Sequence, residues 1–369
     1  MRLRGAGSKR KQDKERGIAV KGKWMYLLAA CMGAAVLIGL WQYRGREDGR
    51  QGDKNSIRIG VLLYRGDDTF IGTLRSGLED RAKEYEQETG IKVKLDIMDA
   101  KGSQNTQNSQ VERLISLGCD ALCINSVDRS SASIIIDKAM DAGTPVVFFN
   151  REPVEEDMNR WEKLYYVGAD AKESAMLQGN ILVDAYRQDS RILDANGNGL
   201  VSYVLLEGET SHQDSLIRTE WSIQTLKDGD VPLEKITGGI ANWDRSQASA
   251  LMEQWLKEYP GQIELVVSNN DDMALGAIDA MNRAGIGANS IKVVGIDGTP
   301  VGIKALEEGY LFGTVESDKE RYAQAIFDIV WSLSLNQDPK DRVPQLDGNY
   351  YWCPQRALTQ AEAKVLKSQ

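Results

Sequence analysis

The sequence predicts an α/β protein of two lobes, each a doubly wound parallel sheet covered by helices. Short apolar runs alternate with amphipathic helical patterns from Ile57 onward, which is typical of βαβ units. The alternation passes through two cycles, separated by a less regular stretch at 154–164. The length of 369 residues also suits two lobes better than one.

The first cycle begins with the apolar run IRIGVLLY at 57–64, which predicts a strand. The next segment predicts a helix with one apolar face, formed by Phe70, Leu74, Leu78, Ala82 and Tyr85. Further strands are expected at 91–98, 121–124 and 145–149. Because helical patterns separate these strands, they predict a parallel sheet.

The second cycle repeats this order in the second half of the chain. Its strands are expected near 165–168, 202–208, 263–268 and 291–296. Two such sheets leave a crevice between the lobes, and ligands of doubly wound sheets bind beyond the carboxyl ends of the strands. The residues that follow each strand are therefore where we expect a binding site.

A single-pass membrane anchor is predicted at 24–43. Residues 24–41 carry no charge and would be about 27 Å long as a helix, close to a bilayer core of about 30 Å. Nine Lys and Arg precede this run, which places residues 1–23 in the cytoplasm and the rest of the chain outside. A lipoprotein signal ending at Cys31 is the alternative, although the apolar run continues for ten residues beyond it.

The charge is divided unevenly between the N-terminal segment and the body. Residues 1–56 hold 13 Lys/Arg and 5 Asp/Glu, a net +8, which leaves 32 against 49, or −17, for the remainder. An acidic body repels phosphate backbones, so no nucleic-acid partner is expected. Residues 44–56 are polar and rich in Gly, which indicates a flexible linker between the anchor and the body.

Polar or aromatic side chains follow six of the predicted strands. In the first cycle they are Asp67, Asp68, Phe70, Asn125, Asn150, Arg151 and Glu152. In the second they are His212, Asp214, Arg218, Asn269, Asn270, Asp271, Asp272 and Asp297. A single Asp or Asn in such a place could simply cap a helix, but the recurrence indicates a site. Carboxylates, carboxamides and a guanidinium can pair with adjacent hydroxyls while an aromatic face covers a sugar ring, so the pattern favours carbohydrate binding.

Several segments carry a family resemblance in their order and spacing. They are YRGDDTF (64–70), CINSVD (123–128), VVFFNREP (146–153), LLEGETSHQDSLIRT (205–219), SNNDDMALGAI (268–278) and GIDGTP (295–300). From about residue 57 to 354 the chain resembles the bacterial galactose/glucose-binding proteins of sugar ABC transporters and chemotaxis. The resemblance implies the periplasmic binding protein type I fold, whose two lobes are joined by a hinge. The lobes are expected at 57–149 with 317–345 and at 150–316 with 346–369.

The resemblance also implies which residues bind the sugar. The hydrogen-bonding residues would be Asp68, Asn125, His212, Asp214, Arg218, Asn270 and Asp297, with Phe70 and Trp243 on the two faces of the ring. The family pattern GTVLND reads GTVESD here, so Ser317 replaces a ligand carboxamide. We therefore expect an altered affinity or sugar preference.

A calcium loop is predicted at 194–202. Its side-chain and backbone oxygens would come from Asp194, Asn196, Asn198, Leu200 and Ser202, with Gly199 at the turn. The resemblance supplies the distant Glu264 as the missing bidentate ligand. The family has Asp and Gln where this chain has Asn198 and Ser202, so Ca²⁺ binding is expected to be weakened, and a plain Asn-Gly turn is the alternative.

Catalysis is not expected. The chain has one His, no G-x-S-x-G and no P-loop, and Cys119, Cys123 and Cys353 lack metal-ligand spacing. A glycoside hydrolase could pair Asp67, Asp68 or Asp271, and a LacI-type repressor shares the fold but would begin with a helix-turn-helix.

The sequence thus predicts a membrane-tethered, extracytoplasmic binding protein for galactose or glucose, with a monomeric body that serves an ABC permease. The alternative is a receptor subunit that presents bound sugar to a membrane sensor kinase or chemoreceptor.

Overall fold

The computed structural model describes residues 54–366, and the predicted tail, anchor and most of the predicted linker lie outside them. In chain order the strands are β1 (Ser56–Leu63), β2 (Lys92–Asp99), β3 (Ala121–Ile124), β4 (Val146–Phe149), β5 (Leu164–Gly168), β6 (Val201–Glu207), β7 (Leu233–Ile240), β8 (Leu265–Ser268), β9 (Lys292–Val294), β10 (Gly313–Ser317), β11 (Tyr350–Trp352) and β12 (Gln355–Thr359).

The helices alternate with these strands. In chain order they are α1 (Thr69–Thr89), α2 (Gln104–Ser116), α3 (Ala132–Ala142), α4 (Glu155–Met158), α5 (Ala171–Gln188), α6 (Gln213–Asp228), α7 (Arg245–Glu258), α8 (Asp271–Arg283), α9 (Pro300–Glu307), α10 (Lys319–Ser334) and α11 (Gln360–Leu366). None of the helices in residues 54–366 has the length and apolar character needed to cross a bilayer.

Two six-stranded sheets form within the described residues, one in each lobe. The order is β11-β5-β4-β3-β1-β2 in lobe 1 and β12-β10-β9-β8-β6-β7 in lobe 2. Neighbouring strands are parallel except for β10 and β12, which pair antiparallel. The predicted fold class of two doubly wound α/β lobes is confirmed.

Helix α1 shows how the sequence determines an element next to the cleft. Asp68 caps its N-terminus by accepting a hydrogen bond from the Ile71 N–H at 2.9 Å. Gly90 ends the helix with φ of 73°, a left-handed conformation that glycine adopts without strain. The predicted apolar face is buried against the sheet and against α10, where Phe327 and Trp331 extend the same core. The helix therefore holds its N-terminal residues rigidly at the carboxyl end of β1.

The chain crosses between the lobes after β5, after β10 and between β11 and β12. The crossings lie side by side, because the Cys353 N–H donates to the Gly168 carbonyl at 2.7 Å and the Asp318 N–H to the Pro354 carbonyl at 3.1 Å. Adjacent crossings of this kind form a hinge.

Two of the predicted lobe boundaries are wrong. The predicted crossing at residue 150 comes too early, because β5 pairs with β4 in lobe 1. The predicted boundary at 345/346 also fails, because β11 pairs with β5 in lobe 1 and only β12 joins lobe 2. An apolar strand such as β5 is suited to either sheet, so its composition does not reveal which one it joins.

Candidate ligand-binding cleft

A cavity of about 340 Å³ lies between the lobes at the carboxyl ends of their strands. Lobe 1 contributes Tyr64, Asp68, Phe70, Ile71, Asn150 and Arg151 to the lining, and lobe 2 contributes His212, Asp214, Arg218, Trp243, Asn270 and Asp297.

Arg218 is the centre of the lobe 2 wall. It projects from α6, is buried, and donates to the Asn269 carbonyl at 3.0 Å. Its guanidinium lies 3.4 Å from an Asp297 carboxylate oxygen and 3.5 Å from one of Asp214. Burial raises the pKa of both carboxyls, and the charge of Arg218 opposes that shift. The result is a compact set of directional donors and acceptors facing the cavity.

His212 is the N-cap residue of α6 and is held in one orientation. Its Nδ1 accepts a hydrogen bond from the Asp214 N–H at 3.1 Å, so a neutral ring carries its proton on Nε2. Burial lowers its pKa well below the ordinary value, and the charges of Arg151, Arg218 and Arg129 add to the effect. His212 therefore offers a neutral N–H donor at neutral pH.

Trp243 packs closely against lobe 2. A Cβ on Gly208 would lie 2.1 Å from the indole ring, so only glycine allows this packing. The edge of His212 meets the ring at a centroid distance of 5.3 Å. Together these contacts fix the plane of the indole at the cavity wall.

Three lining residues have left-handed backbone conformations that non-glycine residues rarely adopt. The φ angles are 63° at Asn150, 61° at Trp243 and 117° at Asp297. Such strain persists only where the surroundings fix it, and it concentrates at functional sites.

The lobe 1 wall combines aromatic rings with one carboxylate, one carboxamide and one guanidinium. Asp68 accepts a hydrogen bond from the Tyr64 hydroxyl in addition to capping α1. Phe70 packs edge-on against Tyr322, with ring centroids 5.9 Å apart. The Arg151 guanidinium lies 3.7 Å from the centre of the Tyr64 ring.

Several contacts cross the cleft and hold the lobes together. The buried Arg151 of lobe 1 forms a 2.8 Å ion pair with Glu209 of lobe 2. Thr69, at the start of α1, lies close enough to Asp272, at the start of α8, to oppose the burial that raises the pKa of this carboxyl. Lys319 Nζ donates to the Gly298 carbonyl at 2.6 Å. The structure is therefore a closed arrangement of the two lobes.

Three lining side chains carry buried nitrogen donors that have no hydrogen-bond partner within residues 54–366. They are Nε of Arg151, Nε of Arg218 and Nε1 of Trp243. Unpaired buried donors are costly, by about 1–3 kcal/mol each, and in native structures they call for an explanation.

The structure brings eight of the ten predicted sugar-binding residues to the cavity. They are Asp68, Phe70, His212, Asp214, Arg218, Trp243, Asn270 and Asp297. Their placement agrees with the prediction, while their contact with a sugar stays a prediction.

The other two predicted ligand residues, Asn125 and Ser317, do not line the cavity. Asn125 is fully buried, and its side chain accepts from the Tyr64 N–H at 3.4 Å and donates to the Phe149 carbonyl at 3.1 Å and to Asn150 Oδ1 at 3.2 Å. It therefore orients Asn150 from behind. Ser317 ends β10 opposite Gln355, and its side chain is buried there.

The family resemblance assigned no binding role to four lining residues, namely Tyr64, Ile71, Asn150 and Arg151, although the strand-end pattern included the last two. Asn150 and Arg151 directly follow β4, so their position at a strand end was the available signal. Arg151 also lines a smaller cavity of about 220 Å³ that adjoins the first and includes Arg129, Glu152 and Ser211.

The predicted calcium loop brings its residues together. The Asp194 carboxylate accepts hydrogen bonds from the backbone N–H groups of Asn198 (3.1 Å) and Gly199 (2.9 Å). The two oxygens of Glu264 accept from the N–H groups of Asn196 and Ser202, each at 3.0 Å. Both carboxylates are buried. The oxygen donors suit Ca²⁺, but across residues 54–366 no cluster of three or more His, Cys, Asp or Glu could hold a metal ion.

The sequence matches the periplasmic binding protein domain family over residues 59–338. It is 35% identical to the D-galactose/methyl-galactoside binding periplasmic protein MglB of Haemophilus influenzae over 298 residues, which cover 78% of this chain and 87% of that protein. It is 28% identical to the ribose import binding protein RbsB of Bacillus subtilis, over 80% of this chain and 85% of that protein.

Among solved structures, an ABC transporter solute binding protein from Bacillus halodurans with bound myo-inositol is similar, with a TM-score of 0.70 and 28% identity. The match covers 86% of this chain and 99% of that one. These similarities confirm the resemblance to galactose-binding proteins that the sequence segments indicated. The chain belongs to the periplasmic binding protein family and is a substrate-binding protein, not an enzyme.

Proposed function

We propose that this protein binds a hexose, galactose or glucose, outside the cytoplasm and delivers it to the permease of an ABC transporter. The observation that carries the proposal is the cavity itself. It carries Phe70 and Trp243 for the apolar faces of a ring and places charged hydrogen-bonding groups around Arg218. Adjacent hydroxyls of a sugar match paired donors and acceptors of this kind.

The choice of a hexose rests on the relatives and on the site residues. The relative with 35% identity is named for galactose and methyl-galactoside, whereas the relative with 28% identity is named for ribose. Ser317 stands where the galactose/glucose-binding pattern has a carboxamide, and its side chain is buried behind the cavity. We expect this position to act on sugar preference through the packing of β10.

The test is a calorimetric titration of the full-length chain in detergent. The ligands are galactose, glucose, methyl-galactoside, ribose, xylose, arabinose and myo-inositol. Heat with a hexose, and weaker or no heat with the pentoses, is the expected result. Binding of a pentose or of myo-inositol alone would correct the sugar class, and the absence of heat with every ligand would refute the proposal.

We extend the proposal to a membrane tether at 24–43, which rests on the uncharged apolar run between a basic tail and a polar linker. Membrane fractionation followed by a carbonate wash tests it, because a spanning helix stays in the pellet. The mass of the mature chain distinguishes the alternative, since a lipoprotein would begin at an acylated Cys31 and lack residues 1–30. Co-purification of a sensor kinase instead of a permease would favour the receptor reading.

We also propose that the loop at 194–202 binds Ca²⁺ weakly. Asp194 and Glu264 would be the charged ligands, and the cation would tie the loop to the start of β8. Thermal unfolding with Ca²⁺ and with chelator measures this, because a ligand of the folded state raises the midpoint. A Glu264→Gln variant should lose the response, and an unchanged midpoint in the parent protein would contradict the proposal.

A further inference from the structure

Asp271 is a fully buried carboxylate that directly follows the lining residue Asn270 but does not line the cavity itself. It begins α8, and its backbone N–H donates to the Ile296 carbonyl at 2.8 Å. One carboxylate oxygen accepts from the Thr314 hydroxyl at 2.6 Å, on β10. The other accepts from the Thr299 N–H at 2.8 Å and from the Thr299 hydroxyl at 3.2 Å.

These bonds enclose the turn that presents Asp297 to the cavity. Asp297 and Gly298 have positive φ angles of 117° and 60°. A strained turn of this kind persists only where surrounding contacts fix it. On one side the Asp297 N–H donates to the Val315 carbonyl at 2.7 Å. On the other side Asp271 holds both Ile296 and Thr299, so it fixes the chain before and after the turn.

Two glycines leave the space that the Asp271 carboxylate occupies. A Cβ on either Gly295 or Gly302 would lie 2.3 Å from a carboxylate oxygen of Asp271. Burial raises the pKa of Asp271 to about 6, although its hydrogen bonds to Thr314 and Thr299 act in the opposite direction. Burial of a carboxylate charge costs free energy that an apolar side chain would not cost. The carboxylate therefore points to a role that needs its hydrogen-bond acceptors.

We propose that Asp271 is a positioning residue for the ligand site, which holds Asp297 in the orientation that accepts hydrogen bonds from the bound sugar. The inference rests on the proposed function. It assigns to Asp271 a part in affinity although its side chain does not reach the cavity.

The test is a double-mutant cycle that combines Asp271→Asn with Asp297→Asn. We expect Asp271→Asn alone to lower hexose affinity about 10- to 100-fold. The carboxylate accepts from three donors, the N–H and hydroxyl of Thr299 and the hydroxyl of Thr314, and an amide with a single oxygen no longer matches all three. In the Asp297→Asn background the same change should lower affinity less than about 3-fold, since the group that it positions is gone. Equal losses in both backgrounds, or no loss in the first, would overturn the proposal.

A matched control separates positioning from a general effect on folding. Asp328 of α10 is also buried with a raised pKa and accepts a hydrogen bond from the Tyr85 hydroxyl, but it lies in the core of lobe 1. Asp328→Asn should reduce the free energy of unfolding and leave hexose affinity within about 2-fold. If Asp271→Asn does not fold, Thr314→Val removes one of the same bonds and should show the same coupling to Asp297 in a smaller amount.

A readout without ligand keeps this inference distinct from the proposed function. Hydrogen exchange of the segment 296–302 should be at least about 10-fold faster in Asp271→Asn than in the parent, while the segment around Tyr85 is unchanged. If the parent binds no sugar, the proposed function fails, and slow exchange that Asp271→Asn does not alter would separately refute the positioning role.

The pH dependence of affinity supplies another measurement. The titratable groups that face Asp271 are Asp272 on its own helix and Asp297 on the turn. The parent should lose affinity as pH falls from 7.5 to 5.5, and Asp271→Asn should show a shallower loss. Superimposable profiles would count against the role.

Discussion

The two walls of the cleft differ in what holds their polar groups in place. In lobe 2, Arg218 lies within 3.5 Å of both Asp214 and Asp297, so three charged side chains fix one another. In lobe 1 the one lining carboxylate, Asp68, accepts hydrogen bonds from Tyr64 and from the start of α1, and no cation of the described residues pairs with it. Lobe 2 is thus a preorganised charged surface, whereas lobe 1 presents aromatic rings, one carboxylate without a cation partner, and the separate polar groups of Asn150 and Arg151.

In both walls, polar residues at the strand ends serve two functions at once. Asp68, His212 and Asn270 each cap a helix with their own side chain, and each also lines the cavity. Capping and ligand binding are therefore not alternatives at these positions. The cap fixes the side chain, which lowers the entropy that it loses when a ligand binds.

The largest expected effect is the loss of the lobe 2 aromatic wall. Trp243→Ala should weaken hexose binding at least about 100-fold, because truncation of a buried aromatic anchor costs about 3–4 kcal/mol. Titration calorimetry measures the loss. Trp221→Ala is the control, since that indole packs under Lys172 on lobe 2 away from the cavity. Comparable losses in both variants would show that the effect is on stability and not on the site.

Neutralising a carboxylate should lower hexose affinity more in lobe 2 than in lobe 1. Asp214→Asn leaves the buried charge of Arg218 with one partner fewer, and we expect hexose affinity to fall about 30-fold or more. Asp68→Asn keeps a competent helix cap and leaves no buried cation unpaired, so a loss of about 10-fold is expected. Parallel titrations decide the question, and a larger loss for Asp68→Asn would reverse the assignment of lobe 2 as the charged surface.

The lobe 2 wall should also be sensitive to pH through His212, the one His of the chain. The pKa of His212 is lowered in the folded protein. Below about pH 6.5 the unfolded state therefore binds a proton that the folded state does not bind. The stability present above that pH is lost as pH falls, by up to about 1.4 kcal/mol per pH unit.

His212→Asn keeps a cap acceptor and should abolish this slope. Denaturant unfolding of both proteins from pH 7.5 to 5 measures the difference. The buried carboxyls, whose raised pKa values act with the opposite sign, are present in both proteins and cancel. If the free energy of unfolding changes with pH equally in the two proteins, His212 binds its proton in the folded state as readily as in the unfolded state, and its pKa is not lowered.

The smallest expected effect lies in the contact between the walls. Glu209→Gln removes the ion pair with Arg151 and should speed sugar release about 5-fold, or about 1 kcal/mol, since Glu209 is partly exposed and the buried Arg151 keeps its hydrogen bond to the Val127 carbonyl. Stopped-flow release kinetics measure it. Asp279→Asn is the control, because its pair with Arg245 lies on lobe 2 alone and should leave release unchanged. Release that is equally slow in all three proteins would remove this pair from the closing contacts.

Much of the fold could be predicted because buried parallel strands read as continuous apolar runs. The strand at 121–124 was predicted with the bounds that β3 has. The edge strand β7 was not predicted, because it carries exposed polar residues and two glycines, Gly238 and Gly239, which give no apolar pattern. The edge strands β11 and β12 were missed for a related reason, since both keep exposed residues and lack a continuous buried apolar run.

The site was predictable where position along the chain determines proximity. The carboxyl ends of parallel strands meet at one edge of a sheet, so the residues that follow them converge whatever the rest of the sequence does. Asn125 shows the limit of this reasoning, because it follows β3 but its amide turns to Asn150 and to the neighbouring backbone. Which of several polar groups faces the cavity depends on side-chain hydrogen bonds that spacing does not specify.

The triple crossing of the chain has a consequence for how the protein is made. Lobe 1 lacks an edge strand until Tyr350–Trp352 is in place, and lobe 2 lacks one until Gln355–Thr359 follows. A growing chain that is released from its N-terminus onward cannot complete either sheet before this last segment emerges. The two lobes therefore finish folding together, and the event that completes them also sets the hinge.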